Sequence, residues 1–351
     1  MADTISDVIV NLNVEQPSIP INLGVLAVFV KGAKEGVETF TSDDDLQTKY
    51  GSNVALSKIS QGYFQQDDHS DNLQVITYVD DIAKAAGDYY SAGWEFATVA
   101  NTQTAGADGK SAAPADDLPA LANFLDAKNE RFTVLGLPAT EDTVNKLDQT
   151  LQPYEGLKRT IAFASGNDTE SAAFGIGALV GAIGNETVGS VTWKFKTLAG
   201  VAPTTLNASQ ILKLHKAHVF TYVIKAGLQQ TSEGFTLSGE FIDALHGDDW
   251  IKAELETELQ KLLSSSKKVS YDAAGIAEID ATVTTVLTQA TDNGIILMDD
   301  AQKKGQFEVT TVSRANTPAQ DIQQRKYNGL SFSYTRAGAI HSVVVSGTIN
   351  L

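Results

Sequence analysis

The sequence predicts an α/β protein in which an alternating β/α segment is inserted into a smaller domain built from both chain ends. Three observations predict this class. Strand-like and helix-like segments alternate from Gly24 to Ile224, two amphipathic helical patterns follow between Gly239 and Leu297, and both chain ends have the pattern of strands. A helix that is apolar on one face needs a sheet to cover it. We therefore expect an α+β inner domain of two helices on a sheet contributed by both ends.

The amino end alternates with the period of a β-strand between Asp7 and Val14. Pro17 and Pro20 then interrupt any further ladder, because proline lacks the backbone donor that pairing requires. This strand has no neighbour close in sequence with which to pair. Its better-buried face would carry Val8, Val10, Leu12 and Val14.

The middle of the chain alternates between strands and helices. Apolar runs of strand length lie at 25–30, 73–79, 94–100, 131–136, 159–164, 190–197 and 218–224, with helical patterns between most of them. Such alternation is typical of a largely parallel sheet with helices on both faces. We predict three parts: 1–22 as an N-terminal linking arm and strand of the inner domain, 23–217 as the inserted outer domain, and 218–351 as the inner domain with a C-terminal linking strand.

The two helices of the inner domain are recognised by their apolar stripes. The first stripe consists of Ile251, Leu255, Leu259 and Leu262, and the second of Ile276, Ile279, Val283, Val286 and Leu287. Asp248 and Asp249 are predicted in the first turn of the first helix, where the helix dipole favours carboxylates. Asp272 is the predicted N-cap of the second helix, and Asn293-Gly294 its stop.

The carboxyl end is predicted to form one long strand over Ala339–Leu351. One face of this strand would carry Val343, Val345, Ile349 and Leu351. Unpaired strands at both ends are a liability in a monomer, but they can join subunits in a polymer.

Composition excludes several classes of partner and site. The net charge of -17 over 351 residues argues against nucleic acid, which would repel the chain. No apolar run approaches the length of a membrane span, so no membrane insertion is expected. The absence of cysteine excludes disulfides and thiolate chemistry, and synthesis in a reducing cytoplasm is the simplest expectation.

Motifs for chemistry are incomplete, so neither an enzyme nor a cofactor is expected. GADGKS at 106–111 has Thr104 where a phosphate loop needs glycine. The glycines at 175, 177 and 181 fall inside a helix pattern, which favours close helix packing over a dinucleotide site. His215 and His218 lack the spacing of a metal site. His246 beside Asp248 and Asp249 is interpreted as a helix N-terminus rather than as an acid-base cluster.

Several stretches resemble one known family. SGEFIDALHGDDWIKAELETELQKLL and DAAGIAEIDATVTTVLTQATDNGII are similar to its paired core helices, and ISDVIVNLNVEQPSIPINLGVLAVF is similar to its N-terminal arm. LSFSYTRAGAIHSVVVSGTINL is similar to its closing strands, and KLHKAHVFTYV to the return from its inserted domain. The chain thus resembles the contractile bacteriophage tail sheath protein, in its compact, uncharacterised branch.

The resemblance implies a structural subunit that polymerises as stacked hexameric rings around a tail tube and contracts to drive the tube through the host envelope. Its partners would be further copies of itself, the tail tube protein, the baseplate and the tail terminator. It would reside in the virion tail, after assembly in the host cytoplasm. The two valine-rich end strands would join subunits, and the possible tube contacts are the basic islands of Lys267, Lys268, Lys303 and Lys304.

Two other functions remain open from the sequence. An α/β small-molecule-binding protein or enzyme would be a monodisperse monomer or dimer whose melting temperature responds to a ligand. Another self-assembling tail component, such as a tube protein, would be dominated by β-structure, which the alternating middle segment argues against.

Overall fold

An eight-stranded mixed sheet organises the first two thirds of the fold. The computed structural model describes residues 24–100 and 117–347. Its strands are β1 (Leu26–Lys31), β2 (Gly36–Phe40), β3 (Leu73–Tyr78), β4 (Phe96–Val99), β5 (Phe132–Leu137), β6 (Thr160–Ala164), β7 (Phe220–Lys225), β8 (Leu228–Thr231), β9 (Met298–Asp299), β10 (Lys304–Gly305), β11 (Phe307–Thr311) and β12 (Leu330–Tyr334). Its α-helices are α1 (Asp43–Tyr50), α2 (Val54–Phe64), α3 (Ile82–Asp88), α4 (Asp117–Lys128), α5 (Glu141–Asn145), α6 (Leu147–Leu151), α7 (Thr169–Ile183), α8 (Ala208–Lys216), α9 (Ile242–Ser265), α10 (Ala273–Asp292) and α11 (Ala319–Gln323).

The strand order of the large sheet is β2-β3-β1-β4-β5-β6-β7-β8. Its inner strands run parallel, whereas β2 and β8 join antiparallel at the two edges. All five residues of β6 and the first five of β1 are buried. Strands that are apolar on both faces are expected where helices cover both sides. The predicted α/β class is confirmed.

Helices α2 and α7 pack with their backbones in close contact on one face of the sheet. A Cβ added at Gly177 would lie 1.9 Å from the Ile59 carbonyl oxygen, and one added at Gly62 would lie 2.1 Å from the Phe174 oxygen. Only glycine permits this approach, because any side chain would overlap the backbone of the facing helix. The interpretation as helix-packing residues is therefore correct for Gly177 and Gly181, whereas Gly175 lies against Phe163 of β6 and the adjacent Ser165.

Helices α9 and α10 form the predicted pair, joined by the linker 266–272. Ile251 and Leu255 of α9 share an apolar core with Val283 and Leu287 of α10, and Leu259 is partly buried against it. The Asp272 side chain accepts hydrogen bonds from the amides of Ala274 and Gly275, which confirms the predicted N-cap. After α10, Gly294 adopts the left-handed conformation with φ 85°, as the predicted stop requires.

The predicted start of the first helix is wrong. Helix α9 begins at Ile242, so Asp248 and Asp249 lie in its interior and do not cap it. Asp249 is buried and forms an ion pair with Arg159, and His246 is buried with its ring 5.4 Å from that of Phe96. A carboxylate inside a helix is retained here because a cation from another segment neutralises it.

Residues 190–197, predicted as a strand, contain none. Phe195 has a left-handed backbone with φ 69°, which interrupts an extended conformation. Its amide nevertheless donates to the Thr231 oxygen at 3.1 Å, and the Thr231 amide donates to the Lys196 oxygen at 2.9 Å. This irregular segment therefore covers the outer edge of β8.

The large sheet continues past the predicted domain boundary between residues 217 and 218. Strands β7 and β8, placed in the inner domain by the sequence, pair with β6 and with each other. The arm and strand at residues 1–22 lie outside the described residues. The division into arm, outer and inner domains stays a proposal, and the sheet topology favours moving its second boundary beyond Thr231.

Candidate assembly interface

A small sheet lies on the helix pair and is only partly covered. Strands β11 and β12 pair antiparallel from Phe307↔Tyr334 to Thr311↔Leu330. The apolar side chains on one face pack on the helix pair without being fully buried: Phe307, Val309, Leu330, Phe332 and Tyr334. Within the described residues this sheet has no third strand. Two strands alone are marginally stable, so the arrangement is suited to receive another.

The chain that leaves β12 is tied back to the helix pair over a few residues. The Tyr334 hydroxyl donates to Asp248 at 2.6 Å, and the Arg336 Nε donates to the same oxygen at 3.1 Å. The Ala337 amide donates to the Ile295 carbonyl oxygen at 2.9 Å. Burial, together with the Asp248 charge, raises the pKa of Tyr334, so the phenol stays a hydrogen-bond donor. Asp248 thus orients the start of the C-terminal segment.

His341 is the half-buried residue of the otherwise exposed stretch 338–347. Its Nε2 lies 2.8 Å from the Thr192 hydroxyl, and its ring is edge-on to Phe241 at 4.8 Å. No local pattern predicts this anchor, because the partners of His341 lie about a hundred residues or more away along the chain.

Beyond His341 the chain exposes apolar side chains. Val343, Val344 and Val345 are 76%, 90% and 86% exposed. The described part of the predicted strand, residues 339–347, forms no strand within its own chain. That prediction is wrong for the isolated subunit, because the segment has no neighbouring strand there to complete its hydrogen bonds.

The predicted intersubunit positions are therefore only partly visible. Val343 and Val345 lie on the exposed segment just described. The remaining members fall outside the described residues: Val8, Val10, Leu12, Val14, Ile349 and Leu351.

The two basic islands lie at opposite ends of the helix pair. Lys267 and Lys268 lie in the linker before α10, and Lys303 and Lys304 follow its far end. A helix of 20 residues rises about 30 Å, so the islands do not form one surface.

The linker island is enlarged by residues from a distant part of the chain. Arg314 Nη1 donates to the Tyr271 carbonyl oxygen at 2.7 Å, and the Tyr271 hydroxyl donates to the Lys326 carbonyl oxygen at 2.8 Å. These contacts bring Arg314, Arg325 and Lys326 to the end of the helix pair that carries the linker, and all three are exposed. We call this surface, with Lys267 and Lys268, the basic end.

The residues weighed for chemistry have structural partners. His215 Nε2 lies 2.8 Å from the Ser232 hydroxyl, and His218 Nδ1 lies 2.9 Å from the Leu237 carbonyl oxygen. The GADGKS loop falls outside the described residues. Across 24–100 and 117–347 no cluster of three metal-ligating side chains occurs, and no helix there combines the length and apolarity of a membrane span.

Comparison with protein families places the helix pair and the C-terminal segment in a known domain. Residues 242–349 match the E217 tail sheath protein gp31-like, C-terminal domain. The match begins at the first residue of α9. No curated protein matches the sequence.

Solved structures of contractile particles have the same fold over almost the whole chain. A chain from the baseplate of the anti-feeding prophage is 11% identical with a TM-score of 0.67, over 99% of this chain and 100% of that one. The contracted helical sheath of the same prophage gives 0.65 at 11% identity, over 99% of both chains. The contracted PVC sheath complex of an extracellular contractile injection system gives 0.64 at 10% identity, over 99% and 98%.

These matches confirm the resemblance to contractile tail sheath proteins. At such low identity the structural likeness concerns the fold, and the family match covers the last third of the chain. The matched proteins are structural sheath proteins and not enzymes.

Proposed function

We propose that this chain is the sheath subunit of a contractile injection particle, which forms stacked hexameric rings around a tail tube and contracts to drive the tube through the host envelope. The sheath fold and the C-terminal sheath domain support a contractile sheath subunit. One observation carries the assembly step. An unfinished two-stranded sheet and an exposed apolar segment occur in the same subunit.

Strand exchange would satisfy both features at once. The segment around Val343 and Val345 would add to the β11–β12 sheet of a neighbouring subunit, as would the N-terminal strand around Val8 to Val14. Backbone hydrogen bonds would provide affinity, and each valine buried would contribute about 1.5–3 kcal/mol. Because each subunit both gives and receives, the exchange extends into a polymer.

Contraction would exchange one packing of subunits for another. The exchanged strands would persist, while side-chain contacts between neighbouring subunits would change, so an extended sheath would be a metastable store of energy. The work would then come from packing differences between the two states.

The partners of the sheath would be the tail tube, the baseplate and the tail terminator. For the tube contact we favour the basic end over Lys303 and Lys304, because none of its five cations has an ion pair within the described residues, whereas Lys303 lies 3.6 Å from Asp300. The subunit would be made in the host cytoplasm and would act in the tail of the virion or of a related extracellular particle.

The test is to place charge on the exposed segment. Val343→Asp/Val345→Asp should leave the melting temperature of the subunit unchanged and abolish tubular assemblies in electron micrographs, because carboxylates cannot enter an apolar sheet face. Ser342→Asp/Ser346→Asp adds the same charge at two exposed neighbouring positions and should still assemble. Normal sheaths from the valine variant would contradict strand exchange.

A further inference from the structure

Six ionisable side chains are buried where helix α9 crosses the amino ends of β4, β5 and β6. Four of them come from the residues just before these strands, and two come from α9. Their exposure lies between 0% and 6% for all members of the cluster: Glu95, Glu130, Arg131, Arg159, Asp249 and Lys252. These six side chains are three acids and three bases, and the buried carboxyl of Glu256 follows one turn after Lys252 on α9. Burying so many ionisable groups is unfavourable.

Two ion pairs connect the sheet to the helix. Arg159 pairs with Asp249, and Glu130 pairs with Lys252; all four side chains are 4–5% exposed. The Tyr90 hydroxyl donates to the second oxygen of Glu130 at 2.9 Å. The two pairs engage successive turns of α9, so the helix is held at two points along its axis.

The rest of the cluster costs stability. The two carboxyl oxygens of Glu95 and the guanidinium nitrogens of Arg131 have no hydrogen-bond partner among the described residues. The Arg131 guanidinium instead lies over the rings of Tyr90 and Trp94, with centroid distances of 3.6 and 4.2 Å. Cation–π contacts recover only part of the lost hydration.

The backbone that brings two of these charges inward is also strained. Asn129 and Arg131, in the turn between α4 and β5, have φ of 51° and 60°. Residues other than glycine adopt this left-handed region at a cost. The turn that buries Glu130 and Arg131 is therefore strained as well as charged. Such a turn indicates that these two residues are kept inside for the position they give to α9 and not for their contribution to stability.

Buried ion pairs fix the orientation of a helix more strictly than apolar contacts do. Other contacts of α9 with the sheet are apolar, such as those of Ile242, which shares one core with Phe96 and Phe132. Such contacts tolerate sliding and rotation, since they depend on area more than on angle. An ion pair buried from water tolerates neither, because displacement leaves two unpaired charges.

We propose that this cluster holds α9 in a single orientation on the eight-stranded sheet, at a cost in stability. We call this rigid connection, made by the two buried ion pairs and the charges around them, the charge joint. The joint belongs to the fold and holds whether or not the subunit assembles. The role of the joint in contraction rests on the proposed function. If a subunit bent between its sheet and its helix pair, that bending would absorb energy that contraction should transmit to the neighbouring subunits.

Distance measurement on the isolated subunit tests the joint directly. The chain has no cysteine, so Asn123→Cys on α4 and Thr285→Cys on α10 accept two spin labels at exposed positions without background. The reference protein should give one narrow distance peak. Replacing a whole pair by apolar residues, Arg159→Met/Asp249→Leu, should preserve folding and lose the single narrow peak.

The second pair and a surface pair complete the experiment. Glu130→Leu/Lys252→Met should likewise broaden the distribution. Lys146→Met/Asp142→Leu removes an exposed pair at 2.8 Å and should leave the narrow peak intact. A narrow peak in both buried-pair variants would overturn the joint. So would unfolding of both, because the charges would then supply stability instead of orientation. Either result would leave the assembly proposal standing.

Discussion

Glu95 illustrates how burial changes the titration of a single residue. It is fully buried just before β4, and burial raises the pKa of its carboxyl well above the ordinary value, with the Asp249 charge acting in the same direction. Arg131 and Arg159 act against this shift without overcoming it. The folded chain therefore holds the Glu95 proton more tightly than the unfolded chain does.

The sign of the resulting pH dependence follows from this difference. A carboxyl with a raised pKa stabilises the fold at low pH, and this contribution is lost as pH rises toward the folded pKa. We expect the Glu95 contribution to the free energy of unfolding to fall as pH rises above the ordinary glutamate pKa of about 4.3, and Glu95→Gln to reduce this slope and to be the more stable protein at the upper end of the titration. Denaturant titration of both proteins across this range is the measurement. Equal slopes would show that Glu95 does not titrate in this way.

At the scale of elements, the contact between α2 and α7 depends on glycine. The Cβ of an alanine at position 177 would overlap the Ile59 carbonyl oxygen, which belongs to the backbone and cannot rotate away. The two helices would have to separate, and the buried side chains around them would lose contact.

We expect Gly177→Ala to destabilise the subunit by about 1–3 kcal/mol. Gly87→Ala is the matched control, because an added Cβ there meets only the Phe124 ring at 3.6 Å, an ordinary contact. In a helix that control should be neutral or stabilising by up to about 1 kcal/mol. Thermal unfolding of both variants decides. Equal melting temperatures would mean that α2 and α7 do not pack through position 177.

At the scale of the whole molecule, charge is distributed unevenly. The chain carries -17 in total, yet the basic end gathers five exposed cations from residues 267 to 326. An exposed basic surface attracts an acidic partner even when the protein that carries it is acidic overall.

Reversing this charge should specifically weaken the proposed binding to the tail tube. We expect Lys267→Glu/Lys268→Glu to lower co-sedimentation with purified tail tubes, and more so in low salt, since screening weakens exposed charge pairs. The variant should still polymerise, because the reversed residues lie outside the proposed exchange strands. Lys303→Glu/Lys304→Glu provides the same charge change at the other end of α10. A larger loss of tube binding in that variant would reassign the tube contact.

Local patterns in the sequence determined the α/β class, the helix pair, the Asp272 cap, the Gly294 stop and the glycine contact of α7. Each depends on residues within a few positions of one another, since periodicity and capping act over one or two turns. The resemblance to sheath proteins also came from contiguous stretches.

Only the tertiary structure decided where distant charges meet. Asp249 was assigned to a helix cap because its partner, Arg159, lies 90 positions away and reaches it only when α9 crosses the sheet. The basic end likewise depends on Arg314 and Lys326 reaching the linker. Edge strand β2 escaped prediction because its alternate residues are largely solvent-exposed, so it lacks the apolar run of an inner strand. These contacts depend on how distant segments of the chain cross one another in the fold, and the periodicity of a short stretch of sequence carries no information about that crossing.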